Sequence, residues 1–261
     1  MTAPTTPATT PRRGQGRPAL ALVATEARLL LREPGTLFWI IAFPAALLTV
    51  LFLIPSFREA DADLGGLRVV DLYLPVAVIL SALTAGVQTM PATLATYREQ
   101  GVLKRIATTP ARPWQLLAAQ WVVHGVAVLA GSVLAVVLGV TAFGIDVPGS
   151  PAAYLLVLVL ALLAMLSLGG VIAGVAPSTR IAATISTILY FPLMFTAGVW
   201  LPVQVMPGLL GTIVEATPLG AAARGLDAAA AGDWPDTQHL LVLVVWTVGL
   251  AALSARYFRW K

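Results

Sequence analysis

Long apolar runs separated by short polar intervals set the pattern of this chain. Six runs carry no charged residue: Pro34 to Phe57, Leu72 to Tyr97, Pro113 to Ile145, Val147 to Thr179, Ile181 to Val214 and Thr237 to Ala255. About 20 residues cross a bilayer as an α-helix, so each run is long enough. Lipid offers the backbone no hydrogen bonds, and a helix is the way such a run satisfies its own N–H and C=O groups. Barrel strands would be runs of about 10 residues with apolar and polar positions alternating, and these runs do not alternate. The pattern predicts an all-α membrane protein with six transmembrane helices, the fifth ending near Pro202.

The polar intervals refine this picture. Residues 1–18 are rich in Thr, Pro, Arg and Gly without apolar periodicity and are expected to be a disordered cytoplasmic tail. They do not read as a secretory signal, because Glu26 and Glu33 precede a first span that is too long and no small-residue cleavage site follows. Residues 19–261 then form one transmembrane domain. Within 19–33, Leu20, Val23, Ala24, Ala27, Leu30 and Leu31 fall on one face at helical spacing, and Thr25, Arg28 and Arg32 on another. Two readings fit: an amphipathic N-terminal helix lying in the interface, or a plain cytoplasmic extension of the first span. The interval Gln204 to Asp236 is largely apolar yet broken by Pro and Gly, and Thr217-Pro218 has the form of a helix start, with Thr as cap and Pro in the first turn. It predicts two short helices dipping into the outer leaflet, a re-entrant helical hairpin between helices 5 and 6. Non-helical backbone at that depth must be buried in protein, so the hairpin is expected to pack between the spans.

Charge sets the orientation. With both termini cytoplasmic, 13 of the 16 Lys and Arg lie inside, and only Arg58, Arg68 and Arg224 lie outside. That is the positive-inside bias, and it accounts for the net charge of +4 without a nucleic-acid partner. With 58% hydrophobic and 11% charged residues, a soluble fold is excluded in favour of one covered by a lipid bilayer. The absence of Cys removes disulfides and Cys-based metal sites. Fourteen Arg against two Lys, with much Ala, Gly and Pro, reads as a GC-rich bacterial coding sequence and so as a bacterial plasma membrane.

Catalytic patterns are missing. No Gly-Lys dipeptide occurs, hence no phosphate-cradling loop, and there is no Gly-x-Ser-x-Gly, His-Glu-x-x-His or paired intramembrane carboxylate. Leu166-Ser167-Leu168-Gly169-Gly170 lies inside an apolar run, where small residues let helices approach closely. His124 lies well inside a span without an acidic partner and reads as a neutral imidazole bonded to a neighbouring helix; the alternative is a functional ionisable group.

The longest polar, strongly basic interruption is Tyr97 to Gln120. Arg98, Glu99, Lys104 and Arg105 are charged, and Val102, Leu103 and Ile106 form an apolar face at helical spacing. Gly101 breaks the run early and Thr109-Pro110 ends or restarts it. Such a loop either enforces topology by charge alone or offers its apolar face to a partner.

Tyr97-Arg98-Glu99-Gln100-Gly101-Val102-Leu103-Lys104-Arg105, followed by Thr108-Thr109-Pro110, resembles the loop after the second span in type-2 ABC exporter permeases. These are the membrane subunits of drug, antibiotic, polysaccharide and lipid exporters. Phe191 to Phe195, Gly198 to Pro202, Met206-Pro207 and Thr217-Pro218-Leu219 are similar to that family's fifth span and outer hairpin, with Thr217 where Asn is usual. Arg32-Glu33-Pro34-Gly35 resembles its approach to the first span. The resemblance covers most of residues 19–261.

It implies half of a transmembrane dimer, completed by a second copy or a paralogue and served by separate ABC ATP-binding subunits. ATP and Mg would be held by those subunits, so this chain would bind no cofactor and would not itself be an enzyme. The ATPase-coupling residues would be Arg98, Glu99, Gly101, Val102, Leu103, Lys104, Arg105, Ile106, Thr109 and Pro110. A helix from Glu99 to Ile106 would sit in a groove of the ATPase, Glu99 and Arg105 making polar contacts and Leu103 with Ile106 the apolar anchor. Thr84, Gln88, Thr184, Thr187, Phe191 and Phe195 would line the substrate path. The short chain, without a large outer domain, resembles the daunorubicin and antibiotic-resistance branch, which implies efflux of a hydrophobic drug or antibiotic. The alternative within the family is a polysaccharide or lipid exporter. An ion-driven secondary transporter would need intramembrane carboxylates or an unwound ion site, and a membrane enzyme a paired nucleophile and base.

Overall fold

The protein is described by a computed structural model for residues 17–61, 64, 66–108 and 112–258. The expected tail, except its last two positions, and Thr109, Pro110 and the last three residues lie outside the described residues. In chain order the helices are α1 (Arg17–Leu30), α2 (Pro34–Phe52), α3 (Val69–Glu99), the short α4 (Val102–Ala107), α5 (Pro113–Phe143) and α6 (Pro151–Val175). Then come α7 (Thr179–Thr196), α8 (Gly208–Glu215), α9 (Pro218–Ala231) and α10 (Thr237–Tyr257). Among the described residues the β pairing amounts to an isolated bridge between Ala60 and Arg68.

Among the described residues five helices are long and apolar enough to cross a membrane: α2, α3, α5, α6 and α10. The fifth expected run forms α7, which has 18 residues and is not among the five. Arg180 and the hydroxyls of Thr179, Thr184, Ser186 and Thr187 dilute its apolar character. The first span is shorter than its uncharged run: the helix stops at Phe52, and Pro55 opens a 3-10 turn over Pro55–Arg58.

The core is built around α3 and α6. From Leu72 to Val87 nearly every residue of α3 is buried. Small residues set the crossings, as expected for Gly169-Gly170. A Cβ on Gly169 would lie 1.9 Å from the Gly86 carbonyl oxygen, so α3 and α6 touch backbone to backbone. A Cβ on Gly170 would lie 2.1 Å from Ser254 Oγ, and one on Gly174 2.9 Å from the Tyr257 backbone, which seats α10 along α6. Close packing through small residues supplies what the hydrophobic effect cannot supply inside lipid.

Two π-helical segments interrupt the spans, Phe38–Ala42 in α2 and Thr84–Thr89 in α3. Each is followed within two residues by a proline, Pro44 and Pro91. Proline has no N–H and clashes with the carbonyl four residues back, so the preceding turn widens. The carbonyl left over at Ile40 accepts a hydrogen bond from Ser81 Oγ at 2.5 Å, and a Cβ on Gly131 of α5 would lie 2.5 Å from the same oxygen. Ser81→Ala is expected to leave this carbonyl buried without its donor, at a cost of about 1–2 kcal/mol. A thermal-unfolding series in detergent checks this, with Thr49→Val, which removes only a bond to its own helix, as the comparison.

At the end of the bundle away from α4, Arg68 closes the space between α3 and α5. Its guanidinium pairs with Asp71 at 2.6 Å and donates to the Phe143 and Gly144 carbonyls at 3.1 and 2.9 Å. The interval after α7 contains two helices, α8 and α9. Thr217 caps α9, its Oγ1 accepting from Gly220 N at 3.2 Å, with Pro218 in the first turn. Glu215 pairs with Arg224 at 3.1 Å and lies 3.6 Å from His239 Nε2, and the Trp246 indole N–H donates to the Ala216 carbonyl at 3.0 Å, tying the pair of helices to α10.

Helix α1 differs from the expected amphipathic face. Leu20 and Leu31 are 72% and 69% exposed, whereas Glu26 is 6% exposed. The face turned to the protein is Leu22, Val23, Glu26, Ala27 and Leu30. In a chain covered by lipid, an outward leucine costs nothing and an inward carboxylate needs partners.

Candidate functional site

The polar interruption divides differently from the expected Glu99–Ile106 helix. Helix α3 runs through Glu99, a turn at Gln100-Gly101 follows, and α4 begins at Val102. Gly101 sits at φ +70°, the left-handed region that glycine enters without a Cβ penalty, and there the chain reverses into α4. Glu99 therefore belongs to the long helix and not to α4.

The last turn of α3 is a hub in which three consecutive residues fasten to three different helices. Tyr97 donates its hydroxyl to Glu26 Oε2 of α1 at 2.7 Å. Arg98 Nη1 donates to the Ala173 carbonyl of α6 at 2.7 Å and also to the Ala176 carbonyl just beyond. Glu99 accepts from the Thr179 backbone N–H and from Thr179 Oγ1, both at 2.9 Å, at the first turn of α7. The chemistry matches the helix ends. The last carbonyls of a helix have no partner within it and carry partial negative charge, so a guanidinium suits the end of α6. The first N–H groups are equally unpartnered and positive, so a carboxylate suits the start of α7.

On the far side of the polar stretch, Gln120 of α5 is buried and donates through Nε2 to the same Glu26 Oε2 at 2.7 Å. Burial pushes the Glu26 carboxyl up from its usual range, and the two hydrogen bonds draw it back down. Nothing in the sequence pattern marks Glu26, because an acid on an amphipathic helix is ordinarily solvated and its donors are 71 and 94 residues away.

The face that α4 exposes is basic. Lys104 and Arg105 are exposed with Ala107 and Thr108, whereas Leu103 is 1% exposed and sits in the protein's own core. Val102 and Ile106 are half-buried. The expected apolar anchor at Leu103 is thus turned inward: α4 buries one side against its own bundle and leaves the charged side free. Leu103→Asp would place a carboxylate in that core, so the Lys104-Arg105 face is the cleaner place to test contact with another protein.

The expected path residues divide between the interior and the surface. Thr84 is buried, with its hydroxyl 2.9 Å from Tyr190 of α7. Gln88 is half-buried in the π segment of α3. Thr184, Thr187 and Phe191 are exposed on one stripe of α7, and Phe195 is half-buried. His124 is buried and reaches the Gln120 carbonyl of its own helix at 3.0 Å, in place of the expected bond to a neighbour. No group of three or more His, Cys, Asp or Glu that could hold a metal occurs among the described residues.

Residues 19–229 match the family described as ABC-2 type transporter, from the start of α1 almost to the end of α9. A protein of Bacillus subtilis (strain 168) named "Putative transport permease YvfS" is 27% identical over 192 residues, covering 72% of this chain and 77% of that protein. With several apolar helices and a family match that includes the whole Tyr97–Glu99 hub, this multi-pass membrane protein belongs to the ABC-2 type transporter family.

Proposed function

We propose that the chain is the permease subunit of an ATP-driven exporter, moved through α4 by a separate ATP-binding subunit. The observation that carries this reading is the placement of α4. It presents an exposed basic face and is joined by one glycine turn to a hub bonded to α1, α6 and α7. A push on α4 reaches three helices through Tyr97, Arg98 and Glu99 without a soft linker. ATP and Mg belong to the partner, since this chain has no phosphate-binding loop. Energy then enters as coupling: an ATPase arrangement that binds α4 better in one position favours one arrangement of the spans.

In this reading α7 is the sixth crossing helix, both termini and α4 face the cytoplasm of a bacterium, and α8 with α9 form the re-entrant outer hairpin. A second copy or a paralogue packs on the outward stripe of α7, and the path runs past Thr184, Thr187 and Phe191, with Thr84, Gln88 and Phe195 behind them. The sparse polar lining favours a hydrophobic drug or antibiotic as cargo over a polysaccharide or lipid.

The test is co-purification. The tagged chain, taken from its native membrane in mild detergent, is expected to bring a stoichiometric companion with a phosphate-binding loop. Lys104→Glu with Arg105→Glu should remove that companion while the chain still inserts, because both side chains are exposed and free of the core. A companion retained by the reversed variant would dismiss α4 as the docking face. A wild-type chain that brings none, and moves a cargo in liposomes by itself, would overturn the permease reading.

A further inference from the structure

We infer that Glu26 is a positioning residue that makes α1 travel as one piece with the loop carrying α4, so that the N-terminal helix takes part in coupling. This rests on the permease reading above and deepens it: Glu26 is bonded to both ends of the loop, through Tyr97 and through Gln120, and not to the hub alone.

Burial is the first ground. An acid that is 6% exposed in a helix whose other inward residues are Leu22, Val23, Ala27 and Leu30 is a poor choice for packing alone. A leucine would seat α1 against the bundle without any desolvation cost. The second ground is where the partners stand. Both donors, the Tyr97 hydroxyl and the Gln120 amide, reach one oxygen, Oε2, each at 2.7 Å. Tyr97 lies in the last turn of α3 just before α4, and Gln120 lies near the start of α5 just after the loop. One atom of α1 is therefore bonded to both roots of the α4 loop. Any displacement of α4 that spreads or twists those roots must either carry α1 along or break a charge-assisted hydrogen bond. A helix serving only as a membrane anchor would need its outward Leu20, Leu29 and Leu31, and nothing at position 26.

The chain has no Cys, so introduced pairs can be labelled without background from it. Nitroxide labels at Leu29→Cys on α1 and Ala107→Cys, exposed on α4 and outside the Lys104-Arg105 pair, report whether the two helices move together. Labels at Leu29→Cys and Trp200→Cys report how α1 moves against the far end of the bundle. The labelled chain is diluted with unlabelled chain, assembled with its ATP-binding subunit in liposomes, and measured without nucleotide and after trapping with ATP and vanadate.

The wild-type complex is expected to keep one narrow 29–107 distance in both states while the 29–200 distance shifts. Glu26→Leu, which keeps the volume and removes the acceptor, should broaden the 29–107 distribution and abolish the 29–200 shift. Glu26→Gln, which keeps a carbonyl oxygen for both donors, should restore both readings, and rescue of this kind would not follow from packing alone. Should Glu26→Leu fail to assemble, Tyr97→Phe with Gln120→Leu removes the same two bonds from the other side and should give the same loss. A Glu26→Leu or double-variant complex that keeps the narrow distance and the shift overturns the role of Glu26 and leaves the permease reading intact. A wild-type complex with no nucleotide-dependent shift in either pair, or no ATP-binding companion at all, overturns the permease reading itself.

Discussion

Gly169→Val will prevent the chain from reaching its folded state in the membrane. The Cβ of any residue at 169 would sit 1.9 Å from the Gly86 carbonyl oxygen and 3.0 Å from its carbon, and both are backbone atoms. A flexible side chain could move aside; the central turn of α3 cannot, because Thr84 to Val87 are buried and the turn is already widened into a π segment. The opposing contact closes the alternative: a Cβ on Gly86 would meet the Met165 carbonyl carbon and oxygen at 2.4 and 2.5 Å. The two helices would have to separate along their length and so lose the seating of α10 on Gly170 and Gly174. Overpacking in a core costs about 3 kcal/mol at its upper range, and backbone facing backbone leaves no cheaper relaxation. The expected readings are a collapse of the monodisperse peak in detergent and a large drop in membrane-inserted protein. Gly169→Ala should lie between it and wild type. Gly249→Ala, where a Cβ meets nothing within 4 Å, should be indistinguishable from wild type. A Gly169→Val chain with an unchanged melting temperature would show that α3 and α6 do not cross as described.

That crossing was legible in the sequence, and the reason is instructive. Small residues inside an apolar run have few uses other than close approach, so Gly169-Gly170 announced a contact, although not its partner. The runs themselves announced helices for the same reason that lipid permits little else. What periodicity could not reveal was which stripe of a helix meets protein and which meets lipid, because both are apolar. Leu103 illustrates the failure: its spacing with Ile106 marked an apolar face, but the face turns into the chain's own core and not outward to a partner. Glu26 illustrates the converse. A lone acid beside Arg28 reads as a solvated position, and only the return of α3 and α5 brings the two donors that make its burial tolerable. Arg98 and Glu99 looked like a basic loop with one acid. Their targets are ends of other helices, positions fixed by tertiary packing and invisible to local spacing.

Arg98→Ala is expected to sever α6 from the α4 lever while the bundle still inserts. The guanidinium satisfies the Ala173 and Ala176 carbonyls at the end of α6, and a hydrogen bond to a charged group contributes about 1.5–3 kcal/mol. Alanine would leave these carbonyls to water or to a frayed last turn. Amide exchange over Ala176–Thr179 is then expected to rise, while exchange in the middle of α6, held by the Gly86–Gly169 contact, stays slow. Arg98→Lys should recover only part of this, since a compact ammonium cannot spread across two carbonyls as a planar guanidinium does. Glu99→Lys acts on the other half of the junction: it removes both bonds to Thr179 and sets a cation against the positive end of α7. In the assembled complex both variants should hydrolyse ATP; labels at Ala107→Cys on α4 and Ile188→Cys on α7 should keep one narrow distance through vanadate trapping in wild type, and that distribution should broaden in Glu99→Lys. Because Tyr97 still holds α1 in both variants, the label at position 29 should follow α4 as in wild type. A 107–188 distance that stays narrow through trapping in Glu99→Lys would mean that α7 is driven by some route other than the last turn of α3.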